Sequence, residues 1–441
     1  MLSRELQDFF INFPLFSGPA IDYNRKKCGA LPVREIRAEG RRGLLAKERI
    51  GILGGSFDPI HQGHIQTAVS ALEACRLDRL YLLPAGDHAY KPSSALAEDR
   101  WKMVVAACSQ DSRLLPSRFE LDAPAPAYTV DTLLTLKKQH PKSELFFILG
   151  ADGLLKLHHW HRLPEVLSLC TFVICPRPNV PRAAFEEEKD RLIAQGARIS
   201  IIRARAIDIS STMIRDHLSR GLSTPNLYSP VREYCALKGL YGMNRQVERS
   251  EEWIDRLFAA LTPHRFAHSL SVAGFSRRLA TIHGVDPGKA EQAGLLHDCA
   301  KCMPLKEMQV LARSHRLTDD PTVLSSNALL HSLAGAWVAE HEYGMKDPEV
   351  LEAISWHNTG HAGMSRLAMV VCLADTIEPT RESFPLLEQV RAMSRISLER
   401  ALLMSLEGTA SYVISRGKFL HPRTQETIAW LKTLPEVREK S

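Results

Sequence analysis

Two histidines three residues apart, His61 and His64, follow a glycine-rich turn in the first quarter of the chain. The apolar residues up to Leu53 are typical of the end of a buried strand, and the apolar spacing after His64 predicts a helix. Gly54 and Gly55 let the backbone turn tightly and approach a ligand closely. A strand, a glycine turn and a helix in this order bring backbone N–H groups and a helix N-terminus to one point, which favours an anion.

The spacing of the two histidines fits a polyphosphate ligand. If both lie in the first helical turn, they share one face, with their Cβ atoms about 5–6 Å apart. A bare H-x-x-H also occurs as a surface or metal-binding pair, but the preceding G-G-S-F-D-P favours a nucleotide site. The run is not a P-loop, because it has no G-K-[ST], and it lacks the G-x-G-x-x-G dinucleotide fingerprint.

A second run, I-S-S-T-M-I-R, begins at Ile209. Ser210 or Ser211 can cap a helix, and the helix N–H groups and the hydroxyls would then face an anion. Arg215, about one turn later, can bind the same phosphates through two N–H groups. The alternative is an ordinary capped helix.

Both runs resemble bacterial nicotinate mononucleotide adenylyltransferases, which belong to the H-x-G-H nucleotidyltransferase superfamily. The similarity extends over residues 49–242 and implies a Rossmann-like α/β fold and adenylyl transfer from ATP, accompanied by Mg²⁺, to nicotinate mononucleotide. The positions that match the ATP-handling residues are Gly54, Gly55, Ser56, Phe57, His61, His64, Lys91, Gly150, Ser210, Ser211, Thr212 and Arg215. Among these, the resemblance implies catalytic roles for His61, His64, Lys91 and Arg215.

Four residues are predicted to bind the nucleotide that accepts the adenylyl group. The resemblance assigns the nicotinate nucleotide to Tyr128, Thr129, Asp152 and Trp160. Asp152 follows a predicted strand, where a carboxylate can accept hydrogen bonds from ribose hydroxyls, and Trp160 could either stack on a pyridine ring or pack in the core. Residues 120–127 lack the arginine and serine often found before Tyr-Thr in this family, and nicotinamide mononucleotide and phosphopantetheine are alternative acceptors.

A second constellation of histidines and aspartates lies in the C-terminal half. Its members are His268, His297, Asp298, His331, His357 and Asp375. Each histidine alone could be a packed or surface residue, but the adjacent His297 and Asp298, and also Asp375, are predicted inside apolar helices, where a buried charge needs a partner or a metal. Imidazoles mixed with carboxylates suit Fe, Mn or similar divalent ions.

The order H…HD…H…H…D resembles the HD-domain phosphohydrolases. The motifs R-F-A-H-S, L-H-D-C-A-K, W-H-N-T-G and A-D-T-I-E-P are similar to those of symmetrical diadenosine tetraphosphate hydrolases. That resemblance implies two divalent ions, typically iron, and hydrolysis of diadenosine tetraphosphate to two ADP. It also implies catalytic roles for Asp298 and Lys301, whereas Asn358 and His361 stand where the family usually has Thr and Arg. Another nucleotide substrate and a metal-free regulatory module are the alternatives.

The patterning predicts several segments along the 441 residues. We expect a poorly ordered extension over 1–47, an α/β domain over 48–243, a linker over 244–250, an all-helical HD domain over 251–433 and a tail over 434–441. Strands are predicted at 80–84, 145–150 and 172–175, with another beginning at Ile201.

Composition excludes several classes of protein. No apolar run approaches the ~20 residues of a membrane span, and nine scattered cysteines predict reduced thiols in a cytoplasmic protein. The pair Cys299-x-x-Cys302 is interpreted as a coincidence, because no second pair lies nearby. Of the net charge of +6, residues 1–47 contribute most, with nine Lys/Arg against five Asp/Glu, so no nucleic-acid surface is predicted. The oligomeric state is not set by the sequence.

Overall fold

The computed structural model describes residues 47–86, 94–124, 127–176, 180–202, 209–244 and 249–438. These residues form two units that divide between Asn244 and Arg245, and each unit is described separately. The second begins with a helix at Ser250, the last residue of the predicted linker.

The first unit contains a parallel sheet of six strands. They are β1 (Arg49–Gly55), β2 (Arg79–Pro84), β3 (Leu114–Pro116), β4 (Glu144–Gly150), β5 (Cys170–Cys175) and β6 (Arg198–Ile201). The spatial order is β3-β2-β1-β4-β5-β6, and every neighbouring pair is parallel. The order reverses between β1 and β4, and ligands of such sheets bind beyond the carboxyl ends of the strands at this point.

Helices alternate with these strands, which confirms the predicted α/β class. They are α1 (Gln62–Ala74), α2 (Ala97–Cys108), α3 (Thr129–Gln139), α4 (Ala151–Leu154), α5 (Leu163–Leu169), α6 (Arg182–Ala194), α7 (Ser211–Ser219) and α8 (Ser229–Lys238), with 3-10 turns at Leu157–His159 and Leu240–Gly242. Ile52, Phe147, Phe172 and Leu133 pack in the core between sheet and helices.

One strand was missed, and another was predicted at the wrong position. β3 was not predicted, because its three residues end in Pro116 and give too short an apolar pattern to be recognised. The strand expected to begin at Ile201 instead ends there, since it is an edge strand that starts at Arg198, and its polar residues Arg198 and Ser200 gave no apolar signal. Edge strands lack the continuous apolar run on which that prediction was based.

The described part of the second unit is entirely helical, as predicted. Its helices are α9 (Ser250–Ala260), α10 (Pro263–His283), α11 (Pro287–Leu296), α12 (Leu305–Ser314), α13 (Pro321–Leu324), α14 (Asn327–His341), α15 (Pro348–Trp356), α16 (Arg366–Ile377), α17 (Leu387–Met393), α18 (Leu398–Ser415), α19 (Pro422–Leu431) and α20 (Pro435–Arg438). Among the described residues of both units, no helix has the length and apolar character needed to cross a membrane.

The expected location of His297 and Asp298 inside a helix was wrong. α11 ends at Leu296, His297 is its C-terminal cap, and Asp298 lies in the turn that follows. The ring nitrogen Nδ1 of His297 lies 2.8 Å from the carbonyl of Gly294, so the side chain satisfies a carbonyl that the ending helix leaves unpaired. Apolar neighbours alone could not distinguish a helix interior from a buried turn.

Gly294 allows α10 and α11 to approach each other closely. A Cβ atom at this position would lie 3.0 Å from both the Ala273 Cα and the Val272 carbonyl oxygen of α10, and 2.8 Å from Ser276 Oγ. Because two of these atoms belong to the backbone, the helices would have to separate to relieve the steric clash.

We therefore predict that Gly294→Ala destabilises the second unit by ~1–3 kcal/mol, the usual cost of overpacking a core. Differential scanning calorimetry of the full chain would measure this as a lowered transition temperature. Gly335→Ala is the matched control, since its added Cβ meets nothing closer than 3.5 Å. Equal stability of the two variants would contradict the close-packing argument.

Candidate active sites

His61 and His64 cap helix α1 together. His61 is the N-cap residue, and its Nδ1 accepts a hydrogen bond of 3.1 Å from the backbone N–H of Gly63. His64 Nδ1 accepts a hydrogen bond of 3.2 Å from the N–H of His61, and the ring centroids are 3.8 Å apart. Because Nδ1 is an acceptor in each ring, a neutral ring carries its proton on Nε2. His61 was expected in the first turn of the helix, and it lies just before that turn.

Residues from both sequence runs line one cavity of about 330 Å³. The lining residues are Ser56, Phe57, Asp58, His61, His64, Ile209, Ser210, Ser211, Thr212 and Arg215. The structure therefore brings together eight of the residues predicted to handle ATP, and two helices, α1 and α7, begin at this cavity. Two helix N-termini and an arginine at one point form a strongly anion-attracting site.

The start of α7 confirms the predicted cap. Ser210 Oγ accepts a hydrogen bond from the N–H of Met213, while Ser211 Oγ donates to the carbonyl of Pro59 at 3.0 Å. Arg215 donates to the carbonyl of Asp58 at 2.7 Å and to Thr212 Oγ1 at 3.3 Å. These bonds hold the guanidinium at the cavity wall.

Asp58 is the buried anchor of this cavity, and sequence reasoning gave it no role. Its side chain, 4% exposed, accepts hydrogen bonds from the N–H groups of Ser94 and Ala95 at 2.6 and 3.1 Å. The hydroxyl of Tyr241 donates to it at 2.7 Å, and burial raises the pKa of that hydroxyl. Tyr241 also has a left-handed backbone, with φ of 55°, so its geometry is locally strained.

A buried arginine fixes the other side of the same loop. Arg100 is fully buried in α2 and donates hydrogen bonds to the carbonyls of Ser56 at 2.9 Å and Ala85 at 2.7 Å. The guanidinium therefore ties the loop after β1 to the loop after β2. The sequence gave no local signal for this contact, since Arg100 lies 44 residues from Ser56.

Three glycines predicted in the ATP site do not line the cavity. Gly54 and Gly55 end β1, and Gly150 ends β4, on the two sides of the switch point. Lys91, also predicted to contact phosphate, lies outside the described residues.

The predicted acceptor residues lie around α3 and the loop after β4. Tyr128, 36% exposed, caps α3 and stacks on His161 at 4.3 Å, while Thr129 is the first residue of that helix. Asp152 is exposed at the start of α4, and Trp160 packs against Phe147 at 5.3 Å. Trp160 therefore packs against core residues, and its role in binding the nicotinate nucleotide remains a prediction.

Glu120 is a further ionisable group near the switch point that the sequence did not indicate. A Cβ built on Gly54 would lie 3.9 Å from its Oε1 and 3.8 Å from Phe147. Burial raises the pKa of the Glu120 carboxyl to about 7.

The six predicted metal ligands of the second unit converge on one buried centre. One group comprises His268, His297 and Asp375, and a second comprises His297, Asp298 and His357, each with its ligand atoms within 4.8 Å of one another. His331 joins the second group, with its Nε2 3.1 Å from His357 Nε2 and 3.2 Å from Asp298 Oδ1.

All four histidines point Nε2 towards this centre because a fixed partner faces each Nδ1. The Nδ1 partners are Gly294 O for His297 (2.8 Å), Asn327 O for His331 (3.1 Å), Ile354 O for His357 (2.8 Å) and Glu378 Oε1 for His268 (3.1 Å). A carbonyl can only accept, so Nδ1 carries the proton in three of the rings and Nε2 offers a lone pair.

The charges of the centre fit divalent metal ions. Burial lowers the pKa of His297 to about 3 and that of His331 to about 4, so both rings are neutral ligands. Burial alone would raise the pKa of Asp298, but the neighbouring histidines and Lys301 hold it well below its usual range. Nε2 of His297 is fully buried and makes no hydrogen bond to any described residue. A lone pair facing a carboxylate oxygen is repulsive unless a cation lies between them.

Three cationic side chains surround the centre. Lys301 Nζ lies 2.9 Å from His331 Nε2 and 3.4 Å from Asp298. Arg265 contacts Asp298 at 3.1 Å, and Arg381 contacts Asp375. Of these, only Lys301 was predicted.

The neighbouring side chains outside this centre have their own partners. Asn358 donates to the carbonyl of Ala328 at 2.8 Å, and His361 Nε2 lies 3.2 Å from Glu352. Cys299 is buried with Sγ 3.3 Å from the carbonyl of Gly335, while Cys302 is exposed. Different burial of the two thiols agrees with the interpretation of C-x-x-C as a coincidence.

Comparison with known proteins identifies the family of this chain. Residues 52–217 match the cytidylyltransferase-like family model, and residues 265–380 match the HD-domain model. A Mycoplasma pneumoniae protein named "Probable nicotinate-nucleotide adenylyltransferase/Ap4A hydrolase" is 30% identical over 75% of this chain and 88% of its own length. The chain belongs to this family. It is an enzyme, and its HD domain is of the divalent metal-binding class.

Two further matches cover long parts of the chain. A Mycoplasma genitalium protein of the same name is 28% identical over 82% of this chain and 97% of its own length. A solved structure from Clostridium acetobutylicum, described as a "predicted HD superfamily hydrolase involved in NAD metabolism", is 37% identical over 42% of this chain and 96% of its own, with a TM-score of 0.40.

The Tyr241–Asp58 contact yields a test of the first site. Removing the hydroxyl in Tyr241→Phe takes one donor from a buried carboxylate, which costs ~1–3 kcal/mol. We predict that the affinity for ATP, the ligand expected in this cavity, falls about tenfold, which corresponds to ~1.4 kcal/mol. Isothermal titration calorimetry of the full chain measures it.

Tyr234→Phe is the matched control for this variant. The Tyr234 hydroxyl donates at 2.6 Å to Asp99, which is buried but does not line the cavity. ATP affinity equal in the two variants would show that the Asp58 contact supports the fold without positioning the cavity wall.

Proposed function

We propose that this chain is a bifunctional enzyme. Its first unit transfers the adenylyl group of ATP to nicotinate mononucleotide, giving deamido-NAD and pyrophosphate, and its second unit hydrolyses diadenosine tetraphosphate to two ADP. The observation that carries the first activity is the cavity in which His61, His64 and Arg215 meet two helix N-termini. The names of the Mycoplasma relatives support both activities.

The proposed reaction of the first unit needs alignment and charge neutralisation. The 5′-phosphate oxygen of the acceptor attacks the α-phosphorus of ATP, a new P–O bond forms, and the bond to the β-phosphate oxygen breaks. Pyrophosphate leaves with the electron pair of the broken bond, which becomes negative charge on its oxygen. His61 and His64 donate Nε2–H to phosphate oxygens, and Arg215 with the N–H groups of α7 neutralises the leaving group.

The remaining predicted residues complete this proposed site. Gly54, Gly55, Ser56 and Phe57 form the loop that approaches the phosphates, and Gly150, Ser210, Ser211, Thr212 and Lys91 complete the ATP side. Mg²⁺ accompanies ATP, held mainly by phosphates and water. Tyr128, Thr129, Asp152 and Trp160 bind the acceptor. No general base is required, because the attacking phosphate is already ionised.

The proposed hydrolase depends on the six buried ligands of the second unit. His268, His297, Asp298, His331, His357 and Asp375 would hold two divalent ions, Fe or Mn, in shared roles. Such ions polarise phosphoryl oxygens and supply an activated water. Asp298 suits the bridging position, because its Oδ2 lies 3.6 Å from His297 Nε2 while its Oδ1 faces His331 and His357. Lys301 adds positive charge beside the substrate phosphates.

The proposed location is the cytoplasm, where ATP and nicotinate mononucleotide are available. The eight cysteines that the structure describes are all free thiols, which suits a reducing compartment.

For the first activity we predict that His64→Ala lowers adenylyl transfer by ~10²–10³, the usual cost of losing one aligned donor. Pyrophosphate release from ATP and nicotinate mononucleotide measures the effect, with nicotinamide mononucleotide and phosphopantetheine as alternative acceptors. Hydrolysis of diadenosine tetraphosphate by the same variant is the internal control. A rate within about threefold of the parent, or ~0.7 kcal/mol, would remove His64 from the proposed mechanism.

For the second activity we predict that Asp298→Ala loses at least one of two bound ions and nearly all hydrolysis, because the proposed bridge between the ions is gone. Elemental analysis and release of ADP from diadenosine tetraphosphate measure both effects. Adenylyl transfer should be unchanged, since the first cavity uses no residue of the second unit. Full hydrolysis without bound metal would contradict the dinuclear centre.

A further inference from the structure

His268 differs from the other three histidines of the metal-ligand centre. Their Nδ1 atoms face backbone carbonyls, whereas Nδ1 of His268 lies 3.1 Å from the Oε1 of Glu378. Its Nε2 lies 2.9 Å from Asp375 Oδ1, a ligand atom of the same group. His268 is therefore held between two carboxylates, one inside the centre and one behind it.

Glu378 is itself rigidly positioned. It is fully buried and caps the C-terminus of α16. Its carboxylate accepts hydrogen bonds from the N–H and the hydroxyl of Thr380, at 2.6 and 2.5 Å. Arg391 donates to the carbonyls of Ile377 and Glu378, at 2.9 and 2.8 Å, so the backbone on which Glu378 stands is also fixed.

A carboxylate behind a histidine changes the ligand that the histidine offers. The carboxylate accepts the Nδ1 proton, which fixes the tautomer and the ring orientation, and its charge makes Nε2 a stronger electron donor to a metal. A backbone carbonyl fixes the tautomer but adds no charge. Of the two ligand groups in this centre, only the group with His268 and Asp375 has such support among the described residues.

We propose that Glu378 is a positioning residue that acts through His268 and controls how tightly one of the two metal ions is bound. This inference rests on the proposed dinuclear centre. It assigns the first ion to His268, His297 and Asp375 with the support of Glu378. The second ion, held by His331, His357 and Asp298, which both ions share, does not depend on Glu378.

The test is titration of metal-stripped full-length protein with Mn²⁺, followed by electron paramagnetic resonance and calorimetry. We expect Glu378→Gln to weaken one of two Mn²⁺ sites by ~10–100-fold and to leave the other unchanged, as found for partners of metal ligands elsewhere. Glu399→Gln is the matched control. Glu399 is a glutamate 5% exposed in the same unit that pairs with Arg366 and contacts no metal ligand that the structure describes, and both of its Mn²⁺ affinities should match the parent.

The double variant tests whether Glu378 acts through His268. In a His268→Ala background, Glu378→Gln should cause no further loss of Mn²⁺ affinity, since the coupled partner is already gone. An additive loss would show that Glu378 acts by another route and would overturn the proposal.

Thr380→Val replaces Glu378→Gln in the Mn²⁺ titration if that variant fails to fold, because it removes only the hydroxyl that donates to Oε1 of Glu378. We then expect the Mn²⁺ affinity of one site to fall several-fold, and an unchanged affinity would count against the proposal.

The outcomes distinguish the two levels of the proposal. A parent protein that binds no Mn²⁺ would remove the dinuclear centre, and the function proposed for the second unit with it. Two bound ions in the parent and unchanged affinities in Glu378→Gln would overturn the role of Glu378 alone.

Discussion

The group that faces Nδ1 decides what a histidine at these two sites offers to a ligand. In the first unit, Nδ1 of His61 and of His64 accepts from a backbone N–H, so Nε2 carries the proton and can donate to an anion. In the second unit, Nδ1 of His297 and of His357 faces a carbonyl, so Nε2 presents a lone pair and can bind a cation. One side-chain type can thus offer a donor to an anion in one unit and a lone pair to a cation in the other.

Buried carboxylates stabilise these two arrangements in different ways. Asp58 receives N–H and O–H donors on its oxygens, so its charge is satisfied by the protein alone and it serves as a fixed anchor for the cavity wall. Asp298 instead faces the Nε2 atoms of His297 and His331, whose neutral rings have no proton to donate there. Lys301 and Arg265 offset part of its charge, but a lone pair beside a carboxylate is stable only with a cation between them. The charge of Asp298 therefore depends on a bound cation for its stabilisation, whereas the charge of Asp58 does not.

Spacing predicted contacts within one helix, and the family resemblance predicted which distant motifs meet, but neither predicted pairings between single distant residues. His61 with His64 and the cap at Ser210 depend on spacing along one helix, and periodicity captures that. The hydroxyl of Tyr241 reaches Asp58 across 183 residues, and no local pattern encodes such a pairing. His297 was placed inside a helix because apolar residues surround both buried helices and buried turns. The short strand at Leu114 was missed because three residues show no period.

Helix ends explain why the tautomers fall where they do. A helix leaves unpaired N–H groups at its start and unpaired carbonyls at its end. His61 and His64 lie at the start of α1, so a nearby N–H meets Nδ1, and the positive end of the helix favours an anion, the kind of ligand to which Nε2–H can donate. His297 and His357 are the C-terminal caps of α11 and α15, where carbonyls meet Nδ1 and the negative end favours a cation. The position of these four histidines relative to a helix end therefore favours both their tautomer and the sign of the ligand that Nε2 faces, whereas His331 faces the carbonyl of Asn327 from within α14.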